Sequence, residues 1–225
     1  MLSDALPEMP AEAPAKLKIY NLFVLDKSGS MQTIKQQIIQ GYNAQISSIK
    51  ELDQVNGTES YFGLVVFDSN VYIKYLNEPI NIAEPLTFNS YAPDGGTAFY
   101  DALGVSVKAL EDKLGSELNT AKVLITALTD GEENSSKKFV GGQVADLIKQ
   151  FQTDYGWTFS FIGANIDVEK LASSLNVATS NAINFAYSAE GASAATTSLI
   201  SARTSYYTKS LNGEDTSKGF FKADK

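Results

Sequence analysis

Apolar and polar positions along this chain switch between the periods of strand and helix. Residues 19–25 form an apolar run broken only by Asn21, within a first strand over 17–25 that has the character of one buried on both faces. Ile34, Ile38, Tyr42, Ile46 and Ile49 then recur at helical spacing, from near Gln32 to the stop at Asn56-Gly57. Two strands follow over 61–67 and 71–76. Their Asp68-Ser69-Asn70 link is too short for a parallel crossover, so they form an antiparallel hairpin. In the later strand Val71, Ile73 and Tyr75 alternate with polar or amphipathic neighbours, as at a sheet edge. Residues 77–93 carry Pro79, Pro85 and Pro93 and read as a long irregular connection. Beyond Thr97, a helix presents Phe99, Leu103, Val107, Leu110 and Leu114 on one face. Strands over 121–129, 157–162 and 182–187 then alternate with helices around 144–151, 167–175 and 189–210.

This succession predicts an α/β fold: a doubly wound, mostly parallel six-stranded sheet with one antiparallel edge strand and helices on both faces, a Rossmann-like arrangement. One domain spanning 16–210 is expected. An acidic, proline-spaced arm (1–15) precedes it and reads as mobile, and a tail (211–225) follows. In the tail, Phe220-Phe221 between Lys218 and Lys222 reads as part of a frayed terminus rather than a docking motif.

The candidate chemistry lies in three loops. Asp26-Lys27-Ser28-Gly29-Ser30 joins the first strand to the first helix, placing a carboxylate and two hydroxyls at alternate positions of one turn. Asp94-Gly95-Gly96-Thr97 opens another helix, and Thr129-Asp130-Gly131 ends the fourth strand. Asp and Ser before a helix are ordinary caps, and Asp-Gly is an ordinary turn. Three such loops at matching strand-to-helix positions point instead to one shared site of hard oxygen donors, suited to Mg²⁺ or Mn²⁺. Ligands of open α/β sheets bind beyond the carboxyl ends of the strands, where strand order reverses. If the first and fourth strands are neighbours there, Asp26 and Asp130 face each other across the crevice.

Composition removes alternatives. The 225 residues contain no histidine and no cysteine, so the usual zinc ligands and the commonest general base are missing. A net charge of −8 without a basic stripe argues against nucleic acid. No apolar run approaches membrane-spanning length, and no basic segment starts a leader, so a cytoplasmic protein without membrane association is expected. There is no G-x-S-x-G elbow, no phosphate-binding loop and no G-x-G-x-x-G of the nucleotide type. An EF-hand register starting at Asp26 puts Gly29 at position four and Gln37 at position twelve, which does not fit. Among the residues around the loops, Asp101 either orients Thr97 or merely occupies a first helical turn. Glu132, Glu133 and Asn134 read as a solvated loop, and Asp68 as turn chemistry.

Asp26-x-Ser28-x-Ser30, the distant Thr97 and Thr129-Asp130-Gly131 together resemble the metal-ion-dependent adhesion site of von Willebrand factor type A domains, in order and in spacing. The resemblance covers about residues 16–210 and is closest to stand-alone prokaryotic or viral members. It implies that Ser28, Ser30 and Thr97 bind a divalent ion through their hydroxyls, with Asp26 and Asp130 acting directly or through water. The ion would be Mg²⁺, or Mn²⁺, with Ca²⁺ less suited. It further implies a protein-binding module, not an enzyme, whose partner presents an Asp or Glu to the ion. The alternatives are a metal-assisted hydrolase or phosphatase, and a subunit whose metal is purely structural. The family also implies coupling between the metal site and the final helix, which here is rich in small residues, with Leu199 and Ile200 as its main aliphatic anchors.

Overall fold

The computed structural model describes residues 16–222; the expected N-terminal arm lies outside them. Six strands form one sheet: β1 (Lys18–Asp26), β2 (Glu59–Phe67), β3 (Val71–Pro79), β4 (Lys122–Thr129), β5 (Thr158–Ala164) and β6 (Ala182–Phe185). Their spatial order is β3-β2-β1-β4-β5-β6, and every neighbouring pair is parallel except β2–β3. The helices are α1 (Lys35–Asn56), α2 (Phe99–Leu114), α3 (Gly141–Tyr155), α4 (Val168–Ser174) and α5 (Ala189–Leu211). The architecture is the α/β fold expected from the periodicity.

Strand alternation produces two cores. Ile19, Phe23 and Leu25 of β1 pack with Ile38, Tyr42 and Ile46 of α1 and Leu199 of α5. The intervening Tyr20, Leu22 and Val24 pack with Leu103 and Val107 of α2, Ile148 of α3 and Ala172 of α4. A strand with apolar residues on both of its faces is what two covered sides of a sheet require. After β1 the chain builds outward to β2 and β3, then returns through α2 to β4 on the other side of β1. Strand order therefore reverses between β1 and β4, which are paired in register from Ile19–Lys122 to Leu25–Leu128. Both strands end in the candidate loops.

Several local expectations change. Residues Gly29–Ile34 wind as a tighter 3₁₀ segment, so α1 starts at Lys35 rather than near Gln32. Trp157 precedes β5, and β6 ends at Phe185. Register shifts between Phe62 and Val65 break the regular pairing of β3 beyond Ile73, and Tyr72 and Ile73 are both exposed, so the simple alternation read for that edge does not hold. On α5 Leu199 is buried in the core as expected, Ile200 is only half-buried, and the larger anchors are Arg203, Tyr206 and Tyr207. The tail is not frayed at Phe220, which is buried edge-on against the Tyr206 ring, while the Phe221 N–H donates to the Ser180 carbonyl at 2.9 Å.

Arg203 is an unanticipated feature of that interface. Its guanidinium is fully buried over the Phe23 ring, donates to the side-chain oxygens of Asn21 and Gln45, and leaves Nη2 unpartnered. Burial pushes its pKa down to about 10. Asn21, the one polar residue inside the first apolar run, is there to serve this arginine and the Tyr207 hydroxyl, to which it donates at 3.0 Å.

Candidate metal centre

β1 delivers Asp26 to the reversal point with no exposed surface. Its Oδ1 accepts the Ser28 N–H at 2.6 Å, which bends the chain back as an Asx turn, and its Oδ2 accepts the Thr129 hydroxyl at 2.6 Å. Thr129 thus ties the end of β4 to the end of β1. The turn aims Ser28 and Ser30 the same way: their Oγ atoms lie 3.1 Å apart, and Ser30 Oγ donates to Asp130 Oδ1 at 2.7 Å. Thr97 arrives from the start of α2 and is buried. A Cβ placed on Gly131 would stand 3.2 Å from Thr97 Oγ1, so glycine is what lets that hydroxyl sit close against the third loop.

Asp26, Ser28, Ser30, Thr97 and Asp130 therefore meet at one place, assembled from loops far apart in sequence. Backbone bonds lock the loops together. The Gly29 N–H donates to the Gly95 carbonyl at 3.1 Å and the Asp94 N–H to the Lys27 carbonyl at 2.8 Å. Gly95 holds φ at +75°, a left-handed conformation that disfavours side chains.

Residues beyond Asp130 have a larger part than a solvated loop would. Helix α2 has no side-chain cap of its own. Its first N–H groups are satisfied from the loop after β4: Tyr100 by Glu133 at 2.9 Å, Asp101 by Ser136 at 2.9 Å, and Thr97 by Asn134 Oδ1 at 2.9 Å. In return, the Asp101 carboxylate accepts the N–H groups of Lys137, Lys138 and Phe139 at 2.7–2.8 Å. Burial pushes the Asp101 carboxyl up, but these donors outweigh it and hold the group below its usual range. Asp101 therefore lies in the first turn of α2, as one of its two readings had it, and from there it clamps the β4 loop onto the helix. The expectation of a solvated loop is corrected for Glu133 and Asn134, because the buried N-terminus of α2 needs acceptors that its own sequence does not supply. Asp68 has more than a turn role: its Oδ1 takes the Asn70 N–H, and its Oδ2 pairs with the Lys27 ammonium.

Two tyrosines that the sequence did not single out also touch the site. The Tyr91 hydroxyl donates to the Asp26 carbonyl at 2.5 Å, and the Tyr187 hydroxyl, just before α5, donates to the Ser30 carbonyl. Nothing near them in sequence marks them, since a lone tyrosine in a loop carries no periodic signal.

The donor set can be tested for a cation on its own terms. Asp130 Oδ2 is buried and has no hydrogen-bond partner, although a buried unpaired carboxylate oxygen is among the costliest groups a fold can hold. Asp26 is pushed up to about 6, chiefly by burial, with Asp130 adding repulsion and the Thr129 and Ser28 bonds opposing. Among the described residues no group of three or more His, Cys, Asp or Glu forms a metal cluster. What remains is two carboxylates and three hydroxyls, a hard-oxygen set of low charge that fits a small divalent ion.

No family model matches the sequence, and no curated protein does. Solved structures do match. One is a von Willebrand factor type A protein from Catenulispora acidiphila, with TM-score 0.56 and 15% identity over 84% of this chain and 43% of that one. The chain has a von Willebrand factor type A (vWA) fold. A second match is proximal thread matrix protein 1 from the mussel byssus, solved with a zinc-occupied metal-ion-dependent adhesion site, with TM-score 0.52 and 14% identity over 84% and 46% of the two chains. A third is the ArnB paralog VWA2 of Sulfolobus acidocaldarius, with TM-score 0.50 and 18% identity over 83% and 45%. The chain spans less than half the length of each of these three. The vWA likeness and the loop motifs coincide: the fold brings the motif residues to its own switch point.

Proposed function

We propose that this vWA-fold chain is a protein-binding module dependent on a divalent metal, with Asp26, Ser28, Ser30, Thr97 and Asp130 as the residues that hold the ion. The observation that carries the reading is the buried, unpartnered Asp130 Oδ2, set in a cluster whose other members are all oxygen donors. Asp26 already accepts two hydrogen bonds, so it serves by orienting Ser28 and Thr129 and by its charge. Ser28, Ser30 and Thr97 supply neutral oxygens, which keeps the total ligand charge at two carboxylates. A bound Mg²⁺ or Mn²⁺ then keeps affinity for one further carboxylate, which an Asp or Glu of a partner protein supplies. Binding, not turnover, is favoured because the chain has no histidine, and Lys27, the lysine within the motif, is engaged by Asp68. Among the described residues no helix is long and apolar enough to cross a membrane; a cytoplasmic setting belongs to the same proposal.

The test is calorimetric titration of Mg²⁺ and Mn²⁺ into protein cleared of metal. One site per chain is expected, lost in Ser28→Ala with Thr97→Ala. Full-strength binding in that double variant would move the ion elsewhere.

A further inference from the structure

The turn that carries Ser28 and Ser30 is held at both ends by tyrosines from elsewhere in the chain. The Tyr91 hydroxyl, from the connection between β3 and α2, donates to the Asp26 carbonyl at 2.5 Å, and the Tyr187 hydroxyl donates to the Ser30 carbonyl. Tyr91 has no exposed surface and belongs to the core. Tyr187 is half-buried and reaches the loop from a connection that starts at β6, three strand spacings from β1, about 14 Å. That connection is built to present it. The Ser188 N–H donates to the Ala186 carbonyl at 2.7 Å, closing a three-residue turn with Tyr187 at its apex. Ser188 then caps α5, its Oγ accepting the Gly191 N–H at 3.1 Å. A Cβ on Gly191 would stand 2.0 Å from the Ala186 carbonyl oxygen, so glycine is what lets α5 start directly against this turn.

The carbonyl that Tyr187 holds belongs to Gly29–Ile34, the 3₁₀ segment that stands where apolar spacing predicts α-helix from near Gln32. Such winding has poorer hydrogen bonds than an α-helix, so its carbonyls are open to a second donor, and the segment persists where something favours it. Rewound as α-helix it would turn about 20° less and rise about 0.5 Å less per residue. From Ile34 back to Ser30 that amounts to about 80° and about 2 Å. A change of that size takes Ser30 Oγ away from Ser28 Oγ and Asp130 Oδ1, which it now meets at 3.1 and 2.7 Å.

We propose that Tyr187 is a positioning residue of the metal centre. By holding the Ser30 carbonyl it keeps residues 29–34 in the 3₁₀ winding, and so keeps the Ser30 hydroxyl among the other donors before an ion arrives. This rests on the metal-dependent reading above and adds a residue to it. Apparent affinity is the intrinsic affinity scaled by the competent fraction. One hydrogen bond shifts that fraction by no more than its own net worth, about fivefold.

The test is a double-mutant cycle on Mn²⁺ affinity, read by electron paramagnetic resonance of the free ion, which follows even weak binding. Tyr187→Phe, which keeps the ring and loses the donor, is made in the wild type, in Ser30→Ala and in Thr97→Ala. It should weaken binding about fivefold in the wild type and in Thr97→Ala, and not at all in Ser30→Ala, because it acts through that hydroxyl alone. Equal losses in all three backgrounds, or no loss in the wild type, overturn this proposal alone. Hydrogen exchange in EDTA reads the same bond without metal: amides 31–35 should exchange faster in Tyr187→Phe, and unchanged rates there also overturn it. A wild type that binds no Mn²⁺ overturns the metal-dependent reading and this proposal with it.

Discussion

Replacing Asp130 by Asn separates a metal ligand from a structural cap by sign. In the metal-free protein Asp130 Oδ2 is buried and unpartnered, and leaving such an acceptor unpaired costs about 1–3 kcal/mol. The amide keeps an oxygen for the Ser30 hydroxyl, now held at 2.7 Å, and removes a negative charge that pushes Asp26 upward. The unpartnered oxygen becomes an unpartnered amide nitrogen, so what is gained is the relief of a buried charge: the apo variant should be more stable than wild type by about 1 kcal/mol, or about 2–4 °C in melting temperature for a chain of this size. With Mg²⁺ at a hundred times its dissociation constant, the wild type gains about 2.7 kcal/mol and the variant little. The order of melting temperatures in EDTA should thus reverse in Mg²⁺. Differential scanning calorimetry at pH 7.5 reads both, because Asp26, pushed up to about 6, is then ionised. An apo variant that melts below wild type would make Asp130 a structural cap, and equal Mg²⁺ stabilisation of both proteins would place the ion elsewhere.

Four further outcomes are expected. Because native Asp26 keeps its proton up to about 6, against an unfolded value of 3.8, the native state binds more protons between those values; apo stability should fall as pH rises from about 4 to 6 and level off above, which melts in EDTA across that window check. Mg²⁺ affinity should do the opposite, weakening about tenfold per unit below about pH 6 in calorimetric titration, since the ion competes with that proton. Asp101→Ala, which strips three backbone N–H groups of their acceptor, should destabilise by about 2–4 kcal/mol at neutral pH and speed hydrogen exchange at 137–139; unchanged exchange there would remove its role as the clamp. In α5 the amides around Tyr206 should exchange slowly and those around Ser193 faster, because the large anchors Arg203, Tyr206 and Tyr207 all sit in its C-terminal half, and uniform exchange along the helix would refute that division.

Much of this molecule was legible without coordinates. Continuous apolar strands such as residues 19–25, separated by amphipathic helices, determine a covered parallel sheet because no other layering buries both strand faces. The three-residue link after Phe67 determines the antiparallel hairpin by chain length alone. The five candidate donors were also visible, since short loops between strand and helix have few ways to turn and each carried its oxygens within that turn. Tertiary structure decided what depends on partners distant in sequence. Thr129 bridges to Asp26, Glu133 and Asn134 cap a helix they do not precede, and Asp101 receives a loop some 36 residues away. Asn21 looked like a break in a strand until Arg203, 182 residues on, proved to be what it holds. Periodicity reports which way a side chain faces relative to its own backbone. Which polar group meets it there is set by how the layers close, and a buried polar atom must find that group or carry the full cost of losing water.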